Sequence, residues 1–218
     1  MKPIVSIFLA AGLAAGCSAP APSPAPGTAA PAVEVLQGPL LAVDDARSLV
    51  TLRVTRAGPL ARLGHDHVLA CRHLTGAVSV AAGEARLTVP LAAVSVDEPD
   101  LRRAAGLDPD VDEEAVAGTR RNLQRKVFDT ARYPEARVRI LREGPEALLV
   151  ILTVHGHEHR EPVQARLEPL PGGGLRARGA FTLRQSDFGM IPFAVLGGAL
   201  QVADAVEVRF DVVARPAP

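Results

Sequence analysis

From Ser48 to Arg215, apolar and polar residues alternate with a period of two in run after run. This pattern restricts the fold more than any other feature. Successive side chains of a strand point to opposite faces, so such runs read as strands with one buried face. Over Ser48 to Arg56, Val50, Leu52 and Val54 alternate with Thr51, Arg53 and Thr55. Val163 to Leu170, Leu175 to Leu183 and Ala205 to Arg215 repeat the pattern, the last with Val206, Val208, Phe210 and Val212 on one face. Val68 to Val80 is long enough for one bent strand, while Ala85 to Pro90 and Arg137 to Arg142 are shorter. Ala147 to Val154 is apolar on both faces. With a first strand at Leu40 to Val43, the count is about eight or nine strands.

The connections are short. Arg142-Glu143-Gly144-Pro145 and Pro171-Gly172-Gly173-Gly174 are turn sequences, and short connections imply antiparallel neighbours. Antiparallel strands with one apolar face form a sandwich or close into a barrel. An eight-stranded barrel has room inside for side chains or one slender ligand. The chain has no Trp, one Tyr and six Phe, so a lumen of Val, Leu, Ala and Gly is under-filled by bulky groups. That leaves space for an apolar guest, with Val150, Leu167, Phe181 and Phe210 as candidate lining residues.

One stretch breaks the alternation. Asp100 to Val127 reads as helix and loop, with Asp112 as N-cap, Glu113 and Glu114 at the positive helix end, and Leu123 and Val127 sharing a face. It is either an ordinary crossover or a flap over a barrel mouth.

All six histidines fall in two clusters, His65-Asp66-His67 with His73 nearby and His155-Gly156-His157-Glu158-His159. Alternate strand residues share a face, so such imidazoles can converge. Three readings stay open. His65 and His155 serve turns while His157 and His159 are solvated. Alternatively, His65, His67, His155, His157 and His159 include donors to the polar head of an amphiphile, because an unpaired buried acceptor costs about 1–3 kcal/mol. Or they bind a transition metal such as Zn, Cu or Ni, with Asp66 or Glu158 orienting the rings. Cys71 alternates with Leu69 and His73 and is expected to be a small core residue.

No catalytic residue is expected. Ser186 in Arg184-Gln185-Ser186-Asp187-Phe188 lacks a nucleophile-elbow context; the segment reads as a strand-end turn in which Ser186 and Asp187 cap a helical turn and Phe188 plugs the barrel end. Carboxylates are scattered singly over polar strand faces. Net charge is zero with no basic run, so nucleic acid is not an expected partner.

The N-terminal part has a different composition. Residues 1–16 carry Lys2 and then the short apolar run Ile4 to Leu13, a secretory signal too short for a span of about 20 residues. Leu13-Ala14-Ala15-Gly16-Cys17 resembles a bacterial lipobox, which implies cleavage before Cys17 and its lipidation. Residues 17–36 are rich in Pro and Ala and read as a semi-rigid tether. The resemblance to Gram-negative lipoproteins places the exported protein in the periplasm, anchored to the outer membrane. About 180 residues remain, enough for one β-domain over 37–215.

Five segments, in order, resemble the YceI-like family of bacterial periplasmic proteins. They are Gly64-His65-Asp66-His67; Lys126-Val127-Phe128-Asp129 with Tyr133-Pro134; Leu152-Thr153-Val154-His155-Gly156; Arg184 to Gly189; and Asp204 to Val208. The resemblance implies an all-β fold, an antiparallel lipocalin-like extended β-barrel of about eight strands with a short helix/loop insertion. It also implies a non-enzymatic binding protein that holds an isoprenoid or isoprenoid quinone, tail in the lumen and head near the mouth. The expected partners are thus a hydrophobic small molecule, the membrane through the anchor, and, through edge or mouth contacts, a second copy. The chain departs from the family pattern at His157-Glu158-His159 and in a longer segment from Leu101 to Gly118, which keeps the metal alternative open.

Overall fold

The computed structural model describes residues 36–216. The signal segment, Cys17 and all but the last residue of the tether lie outside the described residues. Twelve strands are formed among the described residues: β1 Leu40–Val43, β2 Leu49–Ala57, β3 His67–Cys71, β4 Thr75–Ser79, β5 Glu84–Pro90, β6 Ser95–Val96, β7 Glu135–Arg142, β8 Ala147–Val154, β9 His157–Leu170, β10 Gly174–Arg184, β11 Ala194–Val195 and β12 Leu200–Pro216. Two helices, α1 Pro99–Ala104 and α2 Glu113–Asn122, interrupt them, and α2 runs on into a wide π turn over Leu123–Val127.

Every pairing is antiparallel. Strands β1, β4, β5, β7, β8, β9, β10 and β12 follow one another, and β12 pairs back onto β1 to close an eight-stranded ring. β12 is long enough to serve two neighbours. Its last residues pair with β1 (Val43 opposite Ala214) and its middle pairs with β2 (Val208 opposite Leu52). From β2 the sheet continues through β3 to β6 as an extension of the wall.

Register decides which residues face inward. Directly opposed residues share a face, so the pairs Val50–Cys71, Leu52–Leu69 and Val54–His67 put His67, Leu69 and Cys71 on the same inner face as the β2 valines and leucine. Ile151, on the opposite face of β8, is nonetheless buried between cross-strand neighbours Arg139 and Arg160, whose aliphatic stems can cover it. The outer faces carry ion pairs such as Arg176–Asp211 and Arg178–Glu168.

The single bent strand expected over Val68 to Val80 is two strands. β3 stops at Cys71 and lies beside β2, whereas β4 enters the ring between β1 and β5. Between them Leu74 turns into the core at 1% exposure, and His73 is exposed instead of continuing the Leu69–Cys71 face. Gly76 makes the new pairing possible: its φ is 144°, and a Cβ there would stand 2.1 Å from the Arg86 carbonyl oxygen.

The insertion contains the expected helix. The Asp112 carboxylate accepts hydrogen bonds from the amides of Glu114 and Ala115, satisfying the free helix N-terminus. Leu123 and Val127 are buried against the barrel core, so this helix closes over one end of the ring.

Candidate ligand-binding site

The barrel encloses a cavity of about 530 Å³. That lies within the range of about 300–1,000 Å³ for small-molecule sites. Its wall is overwhelmingly apolar. Val150, Leu167, Phe181 and Phe210 all line it. Phe181 and Phe210 meet edge to face with ring centroids 6.2 Å apart. Gly179, opposite Phe210 on the next strand, leaves room for that ring; a Cβ there would lie 2.6 Å from Phe210 Cζ. Inward-facing Leu52, Val138, Ile140, Leu152 and Phe210 are packed on the core yet only partly buried, because the void touches them. An interior without Trp leaves space of this kind.

The cavity spans the barrel. At the hairpin end, Val80 and Pro145 reach it from the β4–β5 and β7–β8 connections, and Pro169 from the end of β9. At the helix end, Thr119, Asn122, Leu123 and Phe128 form the cover together with Phe188, Met190 and Phe193. Of these, only Leu123, Phe128 and Phe188 carried any signal in the sequence. Met190 and Phe193 belong to an irregular segment without periodicity.

Phe188 is 2% exposed and plugs this end from a 3₁₀ turn over Gln185–Phe188. The turn is pinned by Asp204 of β12, which accepts from the Ser186 amide (2.8 Å) and hydroxyl (2.6 Å). Ser186 and Asp187 therefore do not cap the turn themselves; its clamp comes from a strand 18 residues further along. These hydrogen bonds from Ser186 hold the Asp204 carboxyl below its ordinary pKa.

The histidines separate into different roles. His155 (φ 53°) and Gly156 (φ 80°) form the two-residue turn between β8 and β9, the left-handed pair that a tight hairpin requires. The His155 ring packs on Tyr133 at 4.3 Å, and His157 stacks beyond it at 6.5 Å. His159 lies against Phe188 and within 3.3 Å of Glu161. None of these three lines the cavity. His67 does.

His67 is held by a group that sequence reasoning missed. Its Nδ1 lies 2.6 Å from Asp97 Oδ2, across 30 residues of chain. Asp97 Oδ1 accepts from the Val68 amide at 2.9 Å and from Arg102 at 2.7 Å. The Arg102 guanidinium also donates to the carbonyls of Asp66 and Asp108. The Asp97 and Arg102 side chains are 0% and 4% exposed. Burial pushes the Asp97 carboxyl up, but His67, the Val68 amide and Arg102 outweigh it and hold the group below its ordinary pKa. Asp97 adopts φ 54°, a conformation that Asp tolerates better than most residues. Nothing in the sequence distinguishes this Asp from its neighbours.

His65 is exposed, with its ring 4.6 Å from that of His67. Burial, then the neighbouring His67, lowers its pKa. Among the described residues, His65, His67 and Asp97 are the one set of metal-ligand types brought within 4.8 Å. Their chemistry fits a metal poorly. Nδ1 of His67 and Oδ2 of Asp97 are already joined by a hydrogen bond, and Arg102 occupies the other oxygen. Two imidazole rings remain, each able to offer one ligand atom, short of the three or four protein ligands that zinc sites use. Cys71 adds nothing: burial pushes its thiol up to about 12, so it stays neutral.

Known proteins place this architecture. The YceI-like domain profile matches residues 42–214. Two solved structures share the fold: a polyisoprenoid-binding domain from Saccharophagus degradans implicated in plant cell wall breakdown, and BcnA from Burkholderia cenocepacia. The first is 14% identical with a TM-score of 0.59, covering 81% of this chain and 98% of that one. The second is 18% identical with a TM-score of 0.54, covering 78% and 98%. No curated protein matches the sequence significantly. The closed eight-stranded ring, its apolar lumen and the profile match over nearly the whole described region show that this chain belongs to the YceI-like domain family.

Proposed function

We propose that this protein is a carrier that holds an isoprenoid, isoprenoid quinone or similar amphiphile in the barrel lumen. The observation that carries the reading is the apolar cavity of about 530 Å³ running between the hairpin end and the helix end. Each buried CH₂ of a guest contributes roughly 0.8 kcal/mol, so a branched hydrocarbon tail is the natural occupant. The fold-relative from Saccharophagus degradans is a polyisoprenoid-binding domain, which supports a ligand of that class here. The tail lies along Val150, Leu167, Phe181 and Phe210, and the polar head stands at the helix end beside His67. The signal segment, Cys17 and the Pro/Ala tether support export and lipid anchoring at the outer membrane, so the barrel meets its ligand near a bilayer.

Native mass spectrometry of the exported protein, with organic extraction and lipid analysis of the same sample, tests the reading. An adduct of isoprenoid mass that leaves on extraction is expected. A protein that emerges empty and takes up no isoprenoid from detergent refutes it.

A further inference from the structure

The proton inventory around His67 says more about the ligand head. Asp97 receives three donors: the ring nitrogen of His67, the Val68 amide and the Arg102 guanidinium. An ionised carboxylate is an acceptor only, so the contact at 2.6 Å requires the imidazole proton to sit on Nδ1. In the neutral ring Nε2 is then a bare lone pair. Nε2 makes no hydrogen bond to any described residue, while His67 lines the lumen. In this tautomer the ring presents an accepting Nε2 to a guest in the lumen.

We propose that His67 selects a ligand whose head carries a hydroxyl, a prenol or quinol, over one offering only acceptor oxygens. The inference rests on the lumen being the ligand site. A hydroxyl donates to Nε2 and satisfies both groups in an apolar setting. A quinone carbonyl or an ether turns a lone pair towards another lone pair, and both stay unsatisfied. Asp97 and Arg102 act here as positioning residues, since they set the tautomer without reaching the guest.

The test uses the chain from Ser18 onward, which retains the whole ring and core. Delipidated protein at pH 8 is offered an equimolar mixture of geranylgeraniol and its methyl ether, and the bound ratio is read by native mass spectrometry. The two probes share a tail and differ in the donor. The alcohol is expected in excess by about tenfold, the ratio that one hydrogen bond of ordinary strength supplies. In His67→Phe, which keeps the wall apolar, the ratio is expected to fall to about one. Should that variant not fold, His67→Gln serves instead, because its amide both donates and accepts and also erases the preference. Equal binding of the two probes to the parent overturns the inference and leaves the carrier reading standing. A preference that survives both substitutions removes His67 from the explanation. Failure of both probes to bind overturns the carrier reading itself.

Discussion

Replacing Asp97 by Asn is the most informative single perturbation of this barrel. Asn keeps the size of the side chain and tolerates the left-handed backbone at φ 54°, so the change removes the charge and one of the two acceptor oxygens without disturbing the backbone. The parent carboxylate neutralises Arg102, whose side chain is 4% exposed. Breaking a buried ion pair by removing one partner costs about 3–5 kcal/mol, because the other charge is stranded. Folded domains are stable by about 5–15 kcal/mol in total, so the loss is about a fifth or more of the whole. For a domain of this size each kcal/mol shifts the midpoint by about 2–4 °C, which predicts a fall of about 6–20 °C in Tm. Circular dichroism melts and urea titrations at pH 7 measure it. Arg102→Met completes a cycle: with both charges gone nothing is stranded, so the double variant should lose much less than the two single losses added together. The pH dependence has a definite sign. The folded Asp97 carboxyl lies below its ordinary 3.8, so its contribution is complete above that value and is lost as pH falls through the folded value. The gap between parent and Asp97→Asn should narrow below about pH 4. A loss under about 1 kcal/mol at pH 7, or strict additivity in the cycle, would show that the buried pair does not act as described.

Other expectations are quickly checked. Gly76→Ala should prevent folding or cost several kcal/mol, since its Cβ would meet the Arg86 carbonyl at 2.1 Å in a backbone region that L residues rarely enter; soluble yield and a urea midpoint decide this. Phe188→Ala, at a plug 2% exposed, should cost about 3–5 kcal/mol by urea titration and enlarge the void at the helix end. Cys71, with its thiol pushed up to about 12, should resist iodoacetamide at pH 8 in the folded state and react in urea; equal rates would refute its burial. Protein purified without an affinity tag should retain less than one equivalent of transition metal after dialysis, because only two imidazole rings, His65 and His67, are left to bind it; a full equivalent lost in His67→Ala would revive the metal reading.

The local elements were legible in the chain because they are local. Period-two alternation placed the faces of β2, β10 and β12, since side-chain direction in a strand follows from the backbone alone. Asp112 marked the start of α2 because an unpaired helix terminus needs an acceptor within three residues. Leu167, Phe181 and Phe210 were recognisable as inward-facing for the same reason, whereas the direction of Val150, on a strand apolar on both faces, came from the register of β8. Tertiary structure alone decided what depends on residues distant in sequence. The break between β3 and β4 arises because Leu74 finds a core pocket and Gly76 fits against β5. Closure of β12 onto β1 joins residues at opposite ends of the domain. Of six histidines with similar surroundings in sequence, only His67 reaches the lumen, and its accepting nitrogen is set by an aspartate 30 residues away. Alternation says which way a side chain points; it carries no information about what stands opposite, and the head-group chemistry lies in that opposition.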